Sequence, residues 1–335
     1  MEQIQENKKE YSTDINGLFI TNEGNFMYGN ASLSYYNIKN KEIMNDVFYH
    51  ANGKPLGDVA QSIIIRGDLA YIVVNNSSVI FVIDKNTFKI KGLIKGLTSP
   101  RYIHFMSDTK AYVTDLYAKA ITVINPSTFS VVKRINLSNG VAKQHPTEQI
   151  VQYKNFLFTN CWSYDNKILV IDTNTDKLVK EIEVPIQPSS LCMDKYNKIW
   201  TITDGGYKGS PYGYQAPALV CIDAETQKVE HTFRFKLGDW PSEACLNGAK
   251  DKIFFINNDV WVMDVKAEIL PKEPFIKSKG TKFYGLSVNP QNGEVYLADA
   301  IDYVQRGIVY RYSKDGKEID NFKVGIIPGA FCFKK

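Results

Sequence analysis

Histidine and cysteine are scarce in this chain, at four and five of 335 residues. No C-x-x-C pair occurs, which argues against a zinc ribbon or redox dithiol and against a disulfide framework. Charge of one sign is also lacking. A formal net charge of +4 and a pI near 8.5, with no basic run longer than three residues, exclude the electrostatic footprint of a nucleic-acid binder. No apolar run approaches the length of a membrane helix. Residues 1–14 are polar and read as a flexible leader, with any signal peptide expected to have been removed before this start.

What the chain has instead is a repeat. The phrase Val79-Ile80-Phe81-Val82-Ile83-Asp84 returns as Ala120–Asn125, Lys167–Asp172, Ala218–Asp223 and Asp259–Asp264, with looser copies at Ser32–Asn37 and Gly307–Ser313. Counted at Asn37, Asp84, Asn125, Asp172, Asp223, Asp264 and Ser313, the copies lie 47, 41, 47, 51, 41 and 49 residues apart, the length of a four-stranded propeller blade. Each phrase follows another β-branched and aromatic run, such as Ala70–Asn75 or Phe156–Asn160, and precedes a turn and a more polar strand. A proline-led phrase completes the unit: Pro100–His104, Pro146–Ile150, Pro188–Cys192, Pro241–Cys245 and Pro328–Cys332 align without gaps. We label the four strands a to d, with the proline-led strand a innermost, where a first-position proline costs no ladder hydrogen bond.

The last copy has no strand b after it, and the first strand b, Leu18–Asn22, has no strand a before it. The expected fold is therefore an all-β, seven-bladed propeller of four-stranded antiparallel blades. It occupies residues 15–335 as one domain, its C-terminal strand closing the ring against the N-terminal blade.

Repeat position separates architecture from chemistry. Cys192, Cys245 and Cys332 share one position with Ile150 and His104, so they read as small apolar strand residues, and His104 as a core histidine. Asp84, Asp172, Asp223 and Asp264 read as turn formers that accept from following amides. Asp172, Asn174, Asp176 and Glu183 mimic a calcium loop, but Lys177 stands where that loop needs glycine. No resident metal or catalytic residue is expected.

The b-to-c and d-to-a connections emerge on one face, and there the aromatics gather. Trp200 and Trp261 fall inside strands, whereas Trp162 and Trp240 fall on these loops. The candidate ligand-binding residues are Asn25, Phe26, Tyr28, Tyr117, Asn160, Trp162, Tyr164, Asp204, Tyr207, Tyr212, Tyr214, Gln215, Tyr303 and Arg306 from or beside the b-to-c loops. His145, Trp240 and Tyr284 join them from the d-to-a loops. An exposed ring forgoes about 2 kcal/mol of burial, so such a face suits a large, flat, amide- or hydroxyl-rich ligand. The alternative is that long loops fold over and bury their own rings. An enzymatic alternative stays open as well. Lactonase-type propellers hold a metal with inward carboxylates and amides, and Glu148, Glu243, Asp204, Asp299 and Asn160 are the residues that would converge. A protein-interaction propeller is the third reading. Glu148 and Glu243 share the second position after the proline, where other blades carry Tyr102, Ser190 and Ala330.

The hydrophobic-x-V-I-D-x-x-T pattern of Val82–Thr87, Val170–Thr175 and Cys221–Thr226 resembles YncE-like and surface-layer-type seven-bladed propellers over residues 15–335. The aromatic loops and the closing Pro328–Phe333 strand look most like the Bacteroidetes branch that includes BtuG-type, vitamin B12-capturing surface lipoproteins. That resemblance implies cobalamin or a related corrinoid as bound ligand and an outer-membrane, TonB-dependent transporter as partner. It also implies a cell-surface location, with the membrane reached only through a lipid anchor outside this chain.

Overall fold

The repeated phrases become strands because their β-branched and aromatic side chains are buried on both faces of each sheet. Leu18 and Ile20 pack on one side, with Tyr36, Tyr296 and Val309, while Phe19 between them packs on the other with Tyr35, Ile72 and Phe81. The same alternation repeats around the molecule, so each of seven apolar clusters lies between two adjacent blades. The computed structural model describes residues 16–138 and 145–334. The leader at 1–14 lies outside the described residues.

The described strands form seven antiparallel sheets, six of four strands and one of three. Blade one is built as the sequence requires. Pro328–Lys334 is its strand a and pairs with Gly17–Asn22, Leu18 opposite Phe333 and Ile20 opposite Phe331. Inner strands touch in order around the ring, the seventh returning to the first. Blade six departs from the expected four strands. After Asp259–Asp264 its outer position is taken by a coil bridged only at Val260 and Ile276. Pro271 and Pro274 in that coil have no N–H to donate to a ladder.

The c-to-d turns behave as expected. Asp84 Oδ1 accepts from the amides of Asn86 and Thr87 at 2.9 Å, and Asp223 Oδ1 from that of Thr226 at 2.6 Å. Asp176 of the calcium-loop mimic is instead paired with Lys110 at 2.9 Å and Lys133 at 2.7 Å. All five cysteines are free. Among the described residues, no helix is long and apolar enough to cross a membrane.

Strand a starts irregularly in blade after blade. Register shifts fall between Ala60 and Ser62, Pro100 and Ile103, Thr147 and Ile150, Ser242 and Cys245, and Phe283 and Gly285. A bulge adds a residue to one strand and re-aims its side chains. Here it turns neighbouring residues such as Arg101 and Tyr102 toward the axis, and both line the cavity there.

Candidate functional site: the axial channel and its aromatic mouth

Residues of six inner strands, with Ser189 ahead of blade five's short inner strand Cys192–Met193, line a central cavity of about 940 Å³, within the range of small-molecule sites. Its wall carries Gln61, Arg101, Tyr102, Glu148, Gln149, Glu243 and Tyr284, with Glu23 reaching in from the first b-to-c loop. Trp162, Asp204, Trp240, Tyr303 and Lys282 stand nearer the loops.

The polar groups are linked across blades. Arg101 Nε donates to Glu148 Oε2 at 2.8 Å, and its Nη1 reaches Gln61 Oε1 at 2.5 Å. Tyr284 Oη donates to Glu23 Oε1 at 2.9 Å. Glu243 has no hydrogen-bond donor among the described residues and holds a left-handed backbone, with φ of 53°. That conformation falls in the register shift between Ser242 and Cys245, where a bulge re-aims the side chain. Burial, followed by the charges of Glu23 and Glu148, pushes the Glu243 carboxyl up to about 8. Burial also raises Glu148, against the pull of Arg101, and Glu23, against the hydrogen bond from Tyr284. Burial beside Glu148 pushes Tyr102 up to about 12. The channel is thus a low-dielectric site with more carboxyl than guanidinium groups, its proton inventory set by burial.

The mouth is apolar. Of nineteen exposed large hydrophobic side chains among the described residues, thirteen lie on the b-to-c and d-to-a connections: Phe26, Met27, Tyr28, Tyr49, Tyr117, Tyr164, Tyr207, Tyr212, Tyr214, Leu237, Trp240, Tyr303 and Val304. Tyr28 is 79% exposed and Trp240 58%, so the loops do not simply bury their own rings. Some rings do pair: Tyr164 meets Tyr212 at 4.7 Å, and Tyr303 meets Tyr284 edge-on at 5.8 Å.

The structure sorts the expected residues into groups. Trp162, Asp204, Trp240, Tyr284 and Tyr303 meet at the channel. Tyr164, Tyr212 and Gln215 line a separate groove of about 470 Å³ beside it, with Arg234. Phe26, Tyr28 and Tyr117 are exposed on the same face, as are Tyr207 and Tyr214 to a lesser degree. Asn25 donates to the Tyr303 carbonyl, tying the first and seventh blades' loops together. Arg306 donates from Nε to the Val324 carbonyl at 2.8 Å and lies 3.5 Å from Asp46. Asn160 is buried and fully engaged, donating to the Pro188 carbonyl at 2.7 Å and accepting from the Gln149 amide at 3.0 Å. His145 is buried against Asp165 at 3.0 Å, away from the channel wall, and the loop residues 139–144 before it lie outside the described residues. Tyr284 stands in the strand Phe283–Val288 rather than on a loop.

The lactonase-type set is not assembled as one donor group. Asn160 is engaged by backbone, and Asp299 accepts from the Ile301 amide at 2.8 Å to form a turn. Asp204 is held by Gln187 at 2.9 Å and the Gly206 amide at 2.8 Å. Glu23, Gln61, Arg101 and Gln149 were not among the expected residues. Arg101 had a signal: Thr147, Ser189, Ser242 and Gly329 hold its position in other blades, so a large cation there is out of pattern.

A family model matches residues 16–331. The chain belongs to the DUF5074 family, a domain of unknown function. Curated proteins give no sequence match. Solved structures give the fold. A quinonprotein alcohol dehydrogenase-like protein from Bacteroides thetaiotaomicron is 16% identical with a TM-score of 0.74, covering 94% of this chain and 78% of that one. A functionally unknown protein from Desulfotomaculum acetoxidans is 10% identical with a TM-score of 0.70, covering 95% and 98%. Kuenenia stuttgartiensis hydrazine synthase is 15% identical with a TM-score of 0.66, covering 80% and 88%. At such identities the likeness of this DUF5074 domain to them is one of architecture.

Proposed function

We propose that this DUF5074 propeller is a ligand-binding protein whose aromatic mouth receives a large, flat, amide-rich molecule and whose channel takes one polar arm of it. One observation carries the reading: most of the exposed aromatics lie on the loops of one face, and two of them, Trp240 and Tyr303, line the axial cavity there. A protein partner would satisfy the rim but leave the channel wall unused, which favours a small molecule with a projecting group.

Corrinoids have the required shape, an apolar ring face bordered by amides, and the resemblance to surface-layer-type propellers supports them as ligand class. It equally supports capture at the cell surface and transfer to an outer-membrane transporter. Trp162, Trp240 and Tyr303 would contact the ring, and Glu23, Gln61 and Gln149 would answer its amides.

Calorimetric titration with cyanocobalamin tests the proposal. Saturable, one-to-one binding with micromolar or tighter affinity, lost on Trp162→Ala with Trp240→Ala, supports it. Absence of binding by cyanocobalamin and by its truncated corrin lacking the nucleotide arm overturns the corrinoid assignment.

A further inference from the structure

The groove of about 470 Å³ between blades four and five shares no lining residue with the channel. One wall is the b-to-c turn of blade four, with Tyr164 and Asn166. The other is the long b-to-c loop of blade five, with Tyr212 and Gln215, beside Thr232 and Arg234 of the outer strand Lys228–Arg234. Register sets Arg234 at the mouth, since it pairs with Ala218 where strand c begins. The loop of blade five is fixed in place. Gly206 and Tyr214 bridge across it, the Gln215 amide donates to the Gly205 carbonyl at 2.9 Å, and a Cβ at Gly213 would lie 2.9 Å from Ile186 Cδ1. Glycine permits that approach and the φ of 108° that goes with it.

We propose that this groove binds an acidic carbohydrate, a hexuronate-containing oligosaccharide with a sugar ring against the Tyr164–Tyr212 pair and a carboxylate on Arg234. The two tyrosines come from different blades and meet at 4.7 Å, inclined at 31°. Tyr164 is 43% exposed and Tyr212 41%, so each keeps ring surface that the pairing does not cover. A pyranose suits such a surface, because it presents C–H groups on its faces and hydroxyls around its edge. Groups to meet those hydroxyls stand in the same groove. The side chains of Asn166, Gln215 and Thr232 have no hydrogen-bond partner among the described residues, and can exchange water for a ligand without breaking a contact within the protein.

Charge selects the class of sugar. Arg234 Nη1 donates to the Ala216 carbonyl at 3.0 Å, which ties the guanidinium to the loop, while Nε and Nη2 have no partner among the described residues. A guanidinium with two uncommitted nitrogens on one edge matches a carboxylate. The carboxylates lining the groove are already engaged: Glu183 by Lys167 at 3.2 Å, and Asp165 by His145 at 3.0 Å and the Asn166 amide at 2.7 Å. Among the described residues, Arg234 is therefore the charged lining group without a counter-charge. A neutral sugar would leave it so. A phosphate dianion would bring two charges to one guanidinium in a groove that already holds two carboxylates, and a single carboxylate is the better electrostatic complement.

The test titrates the full chain calorimetrically with the trisaccharides of galacturonate, glucuronate and mannuronate, and with the neutral trisaccharide of galactose. At least one acidic trisaccharide is expected to bind saturably, one to one, and about tenfold or more tighter than the neutral one. Tyr212→Ala should weaken that binding about tenfold. Arg234→Gln should lower the acidic sugar to the affinity of the neutral one, and Arg234→Lys should recover part of the loss by charge without the fork. Tyr196→Ala, an exposed ring on the opposite face, should change nothing. Should Tyr212→Ala disturb its loop, Arg234→Gln on the exposed outer strand gives the independent reading. Saturable binding of none of the three acidic trisaccharides, equal affinity for the acidic and neutral sugars, or an Arg234→Gln protein with wild-type affinity overturns the proposal.

Discussion

Arg101 on the inner strand of blade three donates to Glu148 on the inner strand of blade four at 2.8 Å, and both side chains are almost wholly buried. The pair bridges two blades across the channel wall, where desolvation makes a lone charge costly. Arg101→Ala strips Glu148 of its cation and is expected to cost about 3 kcal/mol in chemical denaturation. Arg101→Ala with Glu148→Gln should regain much of that loss, because the second change removes the orphaned charge. A double variant no more stable than Arg101→Ala would show that the arginine acts through packing alone.

Glu243 makes folding stability depend on pH. Its folded pKa, about 8, lies above the ordinary glutamate value, so the folded state binds this proton more tightly than the unfolded state. Its ionisation therefore destabilises the fold progressively as pH rises from the ordinary range through about 8, and the penalty is absent below it. Glu243→Gln should flatten this part of the stability profile. It should also stabilise the protein at pH 8.5 by on the order of 2 kcal/mol, a figure reduced from the full linkage because the carboxyl borders an open cavity. Parallel melting curves of wild type and variant from pH 5 to 9 would show no convergence at low pH if the residue stays ionised throughout.

Mouth rings and core rings should respond differently to truncation. Trp162→Ala with Trp240→Ala removes two side chains on the channel lining, and cyanocobalamin affinity is expected to fall at least about a hundredfold with little change in melting temperature. Trp200, buried in strand b of blade five with Nε1 donating to Asp194 at 2.8 Å, is the contrast. Trp200→Ala should cost about 3 to 5 kcal/mol. Equal destabilisation by the loop pair and by Trp200→Ala would identify the mouth rings as packing.

Closure of the ring rests on the chain's last strand. Deleting residues 328–335 removes the partner of Gly17–Asn22, exposes that strand's edge and uncovers the Tyr296 ring against which Phe331 and Phe333 pack. We expect aggregation on expression, or a melting temperature lower by roughly 10 °C or more. A soluble, monomeric truncation with an unchanged melting curve would mean that the other contacts of blade one close the ring unaided.

Much of this architecture is local and therefore readable along the chain. A strand with both faces buried must be apolar throughout, and its turn must supply groups for its free amides, so phrases such as Val79–Asp84 recur wherever a blade recurs. Counting them gives seven blades, and the unmatched phrases at the two ends give the seam. The aromatic loops were legible for the same reason, since Trp162 and Trp240 fall outside every strand pattern.

The channel and the buried His145–Asp165 pair follow a different logic. Period-two reading cannot see the bulges that send Arg101 and Tyr102 to the axis together, nor that Glu23 arrives there from a loop of the first blade. No sequence motif links His145 to Asp165, and only the pairing of Thr147 with Cys161 sets them side by side. The sequence by itself determined which segments are strands, how many blades they make and where the ring closes, because those depend on each segment's own pattern of apolar residues and turns. Tertiary structure alone decided which charges share the channel, because those distances depend on register and ring closure between segments far apart in the chain.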